Sequence, residues 1–311
     1  MDRRQLVKDA IAHKATPRAP YCIEFTRKAR ETFERETGCR SADAFLDNDI
    51  VQVRPPWWRW NGLGPEWREA EPPAAPPGVR GSGSYEAFRD QLKLLRDHSD
   101  KYILAMIYGS HFEKANSARG IENFLADMGG DPAFAQKLLD RIIERNLVML
   151  ENVLGCPEID GVLLGSDWGT QLDLIMSPAT WEAMIRPGEQ REYDLVHGYG
   201  KDVWVHSCGC IVKALPALVE MGLDVLNPVQ PECMDLAMLK REFGDRLAFW
   251  GGISTQESLP YGTPEEVRAE ARRVRDLMSE NGGYILSPSQ NLQDDVPVEN
   301  ILALIDVAKN G

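Results

Sequence analysis

The sequence predicts an α/β protein of the (β/α)8 TIM-type class, with an aromatic and proline-rich insertion after the second strand. Short apolar, β-rich runs alternate with longer amphipathic segments, and the alternation repeats eight times along the chain. Several of the amphipathic segments open on residues that cap helices, which fixes their type independently of periodicity. The length of 311 residues suits one barrel of about 250 residues with insertions, so a single domain over 1–311 is expected. An open, doubly wound sheet is the alternative arrangement of the same elements.

The first strand is expected at Tyr21–Thr26, with a helix over Thr26–Glu36, and the second strand at Ile50–Val53. Residues 54–84 interrupt the pattern with a Pro-Pro-Trp-Trp run and a second proline cluster at 72–77. Loops of this length in compact domains are lids, binding loops or linkers. Trp57, Trp58, Trp60 and Trp67 make up half of the eight tryptophans, so the insertion reads either as a hairpin sealing one barrel end or as an aromatic lid. A helix over Tyr85–His98 then leads to the third strand, Tyr102–Tyr108. Pro132–Val153 follows with Asp131 as cap and proline in the first turn, and the fourth strand is Gly161–Gly165. Pro178–Tyr199 repeats the cap-proline signal behind Ser177 and precedes the fifth strand, Val203–His206. Helix Ile211–Met221, strand Val225–Asn227, helix Leu236–Phe243 and strand Leu247–Trp250 continue the series. Thr263-Pro264-Glu265-Glu266 is a capping box opening Pro264–Glu280; strand Tyr284–Ser287 and helix Val298–Lys309 close the pattern.

Composition narrows the function classes. Thirty-five Lys+Arg against 48 Asp+Glu leave a net charge of −13, the wrong sign for binding nucleic acid through phosphate neutralisation. No run approaches the roughly 20 apolar residues that cross a bilayer, and no apolar stretch follows the basic start, so a soluble, cytoplasmic protein is expected. Six cysteines in so long a chain read as free thiols or metal ligands rather than a disulfide framework.

In a parallel barrel the C-terminal strand ends carry the chemistry. Here those ends are Glu24, Arg54, Tyr108, Asp167, His206 with Cys208, Asn227, Gly251 with Gly252, and Ser287 with Gln290. They are polar or ionisable while the strand interiors are nearly pure Val, Ile, Leu and aromatic. The sharpest motif is Trp204-Val205-His206-Ser207-Cys208-Gly209-Cys210. Side chains alternate along a strand, so His206 and Cys208 project to one side, as two ligands of a zinc site would. A core histidine beside a buried cysteine is the plainer reading of that pair.

Several segments carry a resemblance to a known family: 201–209, Gly222–Gln230, Phe249–Gln256 and Gly283–Ser289. Upstream, Ser166–Gln171, Met176-Ser177-Pro178 and the opening Arg3…Ala10…His13 with Pro17–Pro20 extend it. Together they resemble the uroporphyrinogen decarboxylase-like superfamily over most of the chain, least across 54–100. The resemblance implies the same barrel and one of two chemistries. One branch decarboxylates uroporphyrinogen without a cofactor, using an Arg-Gln-Ala-Gly-Arg segment after the first strand. The other moves methyl groups to or from the cobalt of a corrinoid protein, with zinc held by His-x-Cys and a later Cys.

The residues at those positions separate the branches. After the first strand this chain has Pro20–Lys28, with Glu24 at the strand end and no matching guanidinium pair, which is poor electrostatics for a polycarboxylate. His206 and Cys208 match the methyltransferase pattern, but Ser289-Gln290-Asn291 puts Gln290 where the later cysteine belongs. The resemblance then implies Gln290 as the third ligand, with Glu24, Asp167 or another mouth residue as alternatives, and a site without metal as a further one; any oxygen donor makes the zinc harder and more electrophilic than a thiolate does. The expected function is zinc-dependent methyl transfer between a small methylated substrate, such as a methoxylated aromatic, and cobalamin on a separate corrinoid protein; a cofactor-free decarboxylase and a non-catalytic barrel are the alternatives. Asp167, Glu24 and Tyr108 would act at the substrate and Asn227 and Gln256 would orient it. Trp57, Trp58 and Arg54 would line its site. The segment around His197 has Leu195 where a corrinoid-binding motif needs Asp, so the cobalamin is expected on a partner. The oligomeric state stays open, a homodimer being one option.

Overall fold

The computed structural model describes residues 2–56, 84–107 and 109–310, so the expected lid tryptophans Trp57 and Trp58, and Tyr108, lie outside the described residues. Seven strands are present among the described residues: β1 (Ile50–Val53), β2 (Tyr102–Ile107), β3 (Gly161–Gly165), β4 (Asp202–His206), β5 (Val225–Val229), β6 (Ala248–Ile253) and β7 (Tyr284–Pro288). The fold is α/β of the TIM-barrel type, as the alternation predicts. The chain gathers into two compact units, one formed by residues 1–51, 100–102 and 224–311, the other by 52–99 and 103–223.

In the unit containing residues 103–223, β3 pairs in parallel with both β2 and β4; Ile107 stands opposite Leu164 and Gly165 opposite His206. Every residue of β3 is buried, the signature of a parallel strand covered on both faces. Asp160, wholly buried just before β3, accepts the Ile103 N–H at 2.9 Å and the Arg96 guanidinium at 2.7 Å. The other unit repeats the device: buried Asp49, just before β1, takes both Arg18 nitrogens at 2.6 and 2.7 Å and the Tyr21 N–H at 2.9 Å. There β6 runs parallel to β5 and β7, and all three strands are fully buried.

Three expectations need correction. The first expected strand, Tyr21–Thr26, forms only isolated parallel bridges, Tyr21 to Leu286 and Phe25 to Leu292. Between them the Asn48 amide takes both the N–H and the C=O of Ile23, at 3.0 and 2.9 Å, replacing the ladder that a neighbouring strand would supply. The helix expected over Pro178–Tyr199 is a short α turn, a π turn at Trp181–Ile185, and a helix Arg186–Gly198. Pro187 brings no N–H to the ladder, and the wider π turn absorbs the gap. Finally, the helices His111–Arg119 and Ile121–Gly130 have no counterpart in the sequence reading, because Gly109, Gly120, Gly129 and Gly130 break the periodicity there. Among the described residues no helix is long and apolar enough to cross a membrane.

Candidate metal centre

The segments that follow β3 and β4 meet within one unit. Ser166 N–H donates to the His206 carbonyl (3.0 Å), Trp168 N–H to Ser207 Oγ (3.0 Å), and Cys210 N–H to the Thr170 carbonyl (2.7 Å). Two glycines allow this approach. A Cβ on Gly169 would lie 2.5 Å from the Cys208 carbonyl oxygen, and one on Gly209 would lie 2.5 Å from that of Thr170. Gly209 also has φ of +79°, a left-handed conformation that side chains disfavour. Beneath the contact, the wholly buried Trp168 packs edge-on against Trp181 at 5.4 Å.

This closure brings Asp167, His206 and Cys208 together, all of them half-buried. Cys208 Sγ lies 3.3 Å from His206 Nε2, and Asp167 Oδ1 lies 3.8 Å from the same nitrogen. Bonds of about 2.0–2.3 Å to a tetrahedral zinc separate donor atoms by roughly 3.3–3.6 Å, so the spacing suits one metal ion. Asp167 also accepts the Cys208 N–H at 2.9 Å, and its own N–H donates to Glu113 at 3.2 Å. An imidazole, a thiol and a carboxylate are a donor set of borderline softness, which fits zinc. Cys210 is half-buried and stands outside the trio.

Residues 71–311 match the family model described as uroporphyrinogen decarboxylase (URO-D). The chain belongs to the uroporphyrinogen decarboxylase (URO-D) family. Among curated relatives it is 28% identical over 131 residues to "Methylcobamide:CoM methyltransferase MtaA" of Methanosarcina barkeri, covering 42% of this chain and 36% of that protein. It is 29% identical over 126 residues to "Uroporphyrinogen decarboxylase" of Azoarcus sp. (strain BH72), covering 40% of this chain and 31% of that protein. The chain thus spans about a third of the length of each of these curated relatives. A solved "methyltransferase from Methanosarcina mazei" shares the fold, with a TM-score of 0.72 at 16% identity, covering 100% of this chain and 99% of that one.

Arg54 follows β1 and is exposed. Glu24, Asn227, Gln256 and Gln290 belong to the unit of residues 1–51 and 224–311. Glu24 sits between the two bridges, and its carbonyl accepts the Leu292 N–H at 2.8 Å. Asn227 is buried within β5 and donates to the Trp250 carbonyl at 3.3 Å, while Gln256 and Gln290 are exposed. Glu113 was missed by sequence reading, since no motif marks it and its helix was not anticipated.

Proposed function

We propose that this protein is a zinc-dependent methyltransferase that passes a methyl group between a small methylated substrate and cobalamin on a separate corrinoid protein. The observation that carries the reading is the convergence of His206, Cys208 and Asp167 donor atoms, together with likeness to a relative named for methylcobamide methyl transfer. His206, Cys208 and Asp167 would hold the zinc, Asp167 serving where the family pattern has a second thiolate. Bound there, zinc supplies a Lewis acid that draws electron density from the methyl-bearing heteroatom. Exchanging one thiolate for a carboxylate raises its electrophilicity, which favours an ether oxygen over a thiol. The chain's own contribution is orientation: the Cys208 N–H held by Asp167 fixes the loop that carries the thiolate.

Methoxylated aromatics are the substrate class this reading favours, with the tryptophans of the insertion, Trp57 and Trp58 among them, as the apolar lining. A net charge of −13 and the missing guanidinium pair near Glu24 argue against a polycarboxylate porphyrinogen. Glu24, Tyr108 and Arg54 remain candidate substrate contacts, with Asn227 and Gln256 as orienting groups. The protein would work in the cytoplasm.

Metal analysis and an anaerobic assay test the proposal. The purified protein should hold zinc, and an equivalent should vanish in the His206→Ala, Cys208→Ser double variant. Asp167→Ala should weaken zinc by at least 10-fold in chelator competition. Demethylation of a methoxylated aromatic with cob(I)alamin as acceptor is the expected activity. Coproporphyrinogen formation from uroporphyrinogen at an enzymatic rate would overturn the reading.

A further inference from the structure

We infer that Glu113 is a positioning residue for the metal centre, presented by a helix whose start is locked by a buried clamp around His111. The inference rests on the zinc reading above and adds a residue that no motif of the family resemblance includes.

The path from clamp to metal is short. The helix His111–Arg119 begins where the Ser110 N–H donates to the Gly165 carbonyl at 2.6 Å, at the end of β3 and two residues before Asp167. Two residues into that helix, Glu113 Oε1 accepts the Asp167 N–H at 3.2 Å. Asp167 is therefore held from both sides, its backbone by Glu113 and its carboxylate by the Cys208 N–H. A charged acceptor on the backbone N–H of a ligand fixes where its carboxylate points, the role that outer partners play at metal sites.

The clamp holds this helix start through buried side chains. His111, Glu189 and Glu192 are all buried, at 0–1% exposure. His111 Nε2 lies 3.2 Å from the Ile185 carbonyl at the end of the π turn, and its Nδ1 lies 3.1 Å from Glu189. Ser110 Oγ sits 2.6 Å from Glu192 and 3.2 Å from Glu189, while Asn146 donates to the other Glu192 oxygen at 2.7 Å. Gly188 leaves the room: a Cβ there would fall 2.9 Å from His111 Nε2. Burial and then the Glu189 charge push the Glu192 carboxyl up. Burial opposes a charge on His111, but the bond and charge of Glu189 outweigh it and raise its pKa. These buried contacts tie the start of the His111–Arg119 helix to Asn146, Glu189 and Glu192, so the side chains act as a structural clamp.

Cobalt(II) substitution reads the metal environment directly, since its visible spectrum responds to ligand number and type. Glu113→Ala should give the cobalt spectrum of Asp167→Ala and a 10- to 100-fold loss in metal affinity. Glu113→Gln keeps an acceptor oxygen at the same place and should retain the parent spectrum. His111→Asn, which breaks the clamp, should weaken metal binding in the same direction as Glu113→Ala. A parent spectrum and affinity in Glu113→Ala would overturn the positioning role while leaving the zinc site intact. Absence of bound cobalt in the parent protein would overturn the zinc reading and this inference with it. An altered Glu113→Gln spectrum matching that of Glu113→Ala would overturn the assigned hydrogen bond.

Discussion

Substituting alanine at Gly169 should separate the two loops that form the candidate metal centre. The new Cβ would sit 2.5 Å from the Cys208 carbonyl oxygen, 2.8 Å from the Gly209 carbonyl carbon and 2.9 Å from the Cys210 nitrogen. The shortest of these is about 1 Å inside ordinary contact, and all three partners are backbone atoms that cannot rotate away. Overpacking of this kind costs about 1–3 kcal/mol, and rigid neighbours place Gly169→Ala near 3 kcal/mol. Gly209→Ala meets the Thr170 carbonyl at the same 2.5 Å and adds roughly 1–2 kcal/mol for its left-handed backbone. Gly130→Ala is the control: nothing lies within 4 Å of its Cβ, it ends a helix, and a gain of about 0.4–1 kcal/mol is expected. Urea unfolding followed by tryptophan fluorescence gives the stabilities, and chelator competition gives the zinc affinities. Gly169→Ala should lose both stability and at least 10-fold in affinity. A Gly169→Ala protein with the parent's urea midpoint and zinc affinity would refute the reasoning, because the clash would then be relieved without moving the ligands.

The buried aspartates and aromatic groups provide further tests. Asp49→Ala strands the Tyr21 N–H and frees Arg18, so a loss of about 3 kcal/mol is expected in urea unfolding; a change under 1 kcal/mol would show that the pair is dispensable. Trp204→Ala empties a wholly buried position in β4 and should cost about 3–5 kcal/mol, whereas a soluble variant of unchanged stability would contradict its place in the core. Burial, reinforced by the Asp49 charge, pushes the Tyr21 hydroxyl up to about 12 from its ordinary 10.0. A raised acid contributes stability that is fully present below pH 10 and lost as pH rises towards about 12. Base-induced unfolding should therefore be shallower in Tyr21→Phe than in the parent; superimposable pH profiles would remove Tyr21 from that account.

The strands and capped helices were legible because their signals are local. Apolar runs such as Val203–Val205 and the capping box at Thr263–Glu266 need no distant partner to declare themselves, and both appear as expected. Tyr21–Thr26 misled because its composition is that of a strand, while Asn48, more than twenty residues away, occupies the backbone groups a strand would use. Spacing placed His206 and Cys208 on one side, and the sequence reading put Gln290 first among the oxygen ligands, with Asp167 as an alternative. Asp167 joins them through a glycine-to-glycine approach that only the folded chain displays. Glu113 and the His111 clamp were invisible because their partners Asp167, Asn146, Glu189 and Glu192 are distant in sequence, and glycines hide the periodicity of the helix that carries them.

Loops at the C-terminal ends of barrel strands are usually treated as interchangeable modules, each replaceable while the scaffold stays constant. The pair carried by β3 and β4 does not meet that condition. With main chain against main chain at Gly169 and Gly209, neither loop has a shape of its own that a transplant would preserve. Donor segments for engineering would have to be grafted as a matched couple, both glycines included. Diversification of this protein's specificity is correspondingly easier at strand ends outside that couple.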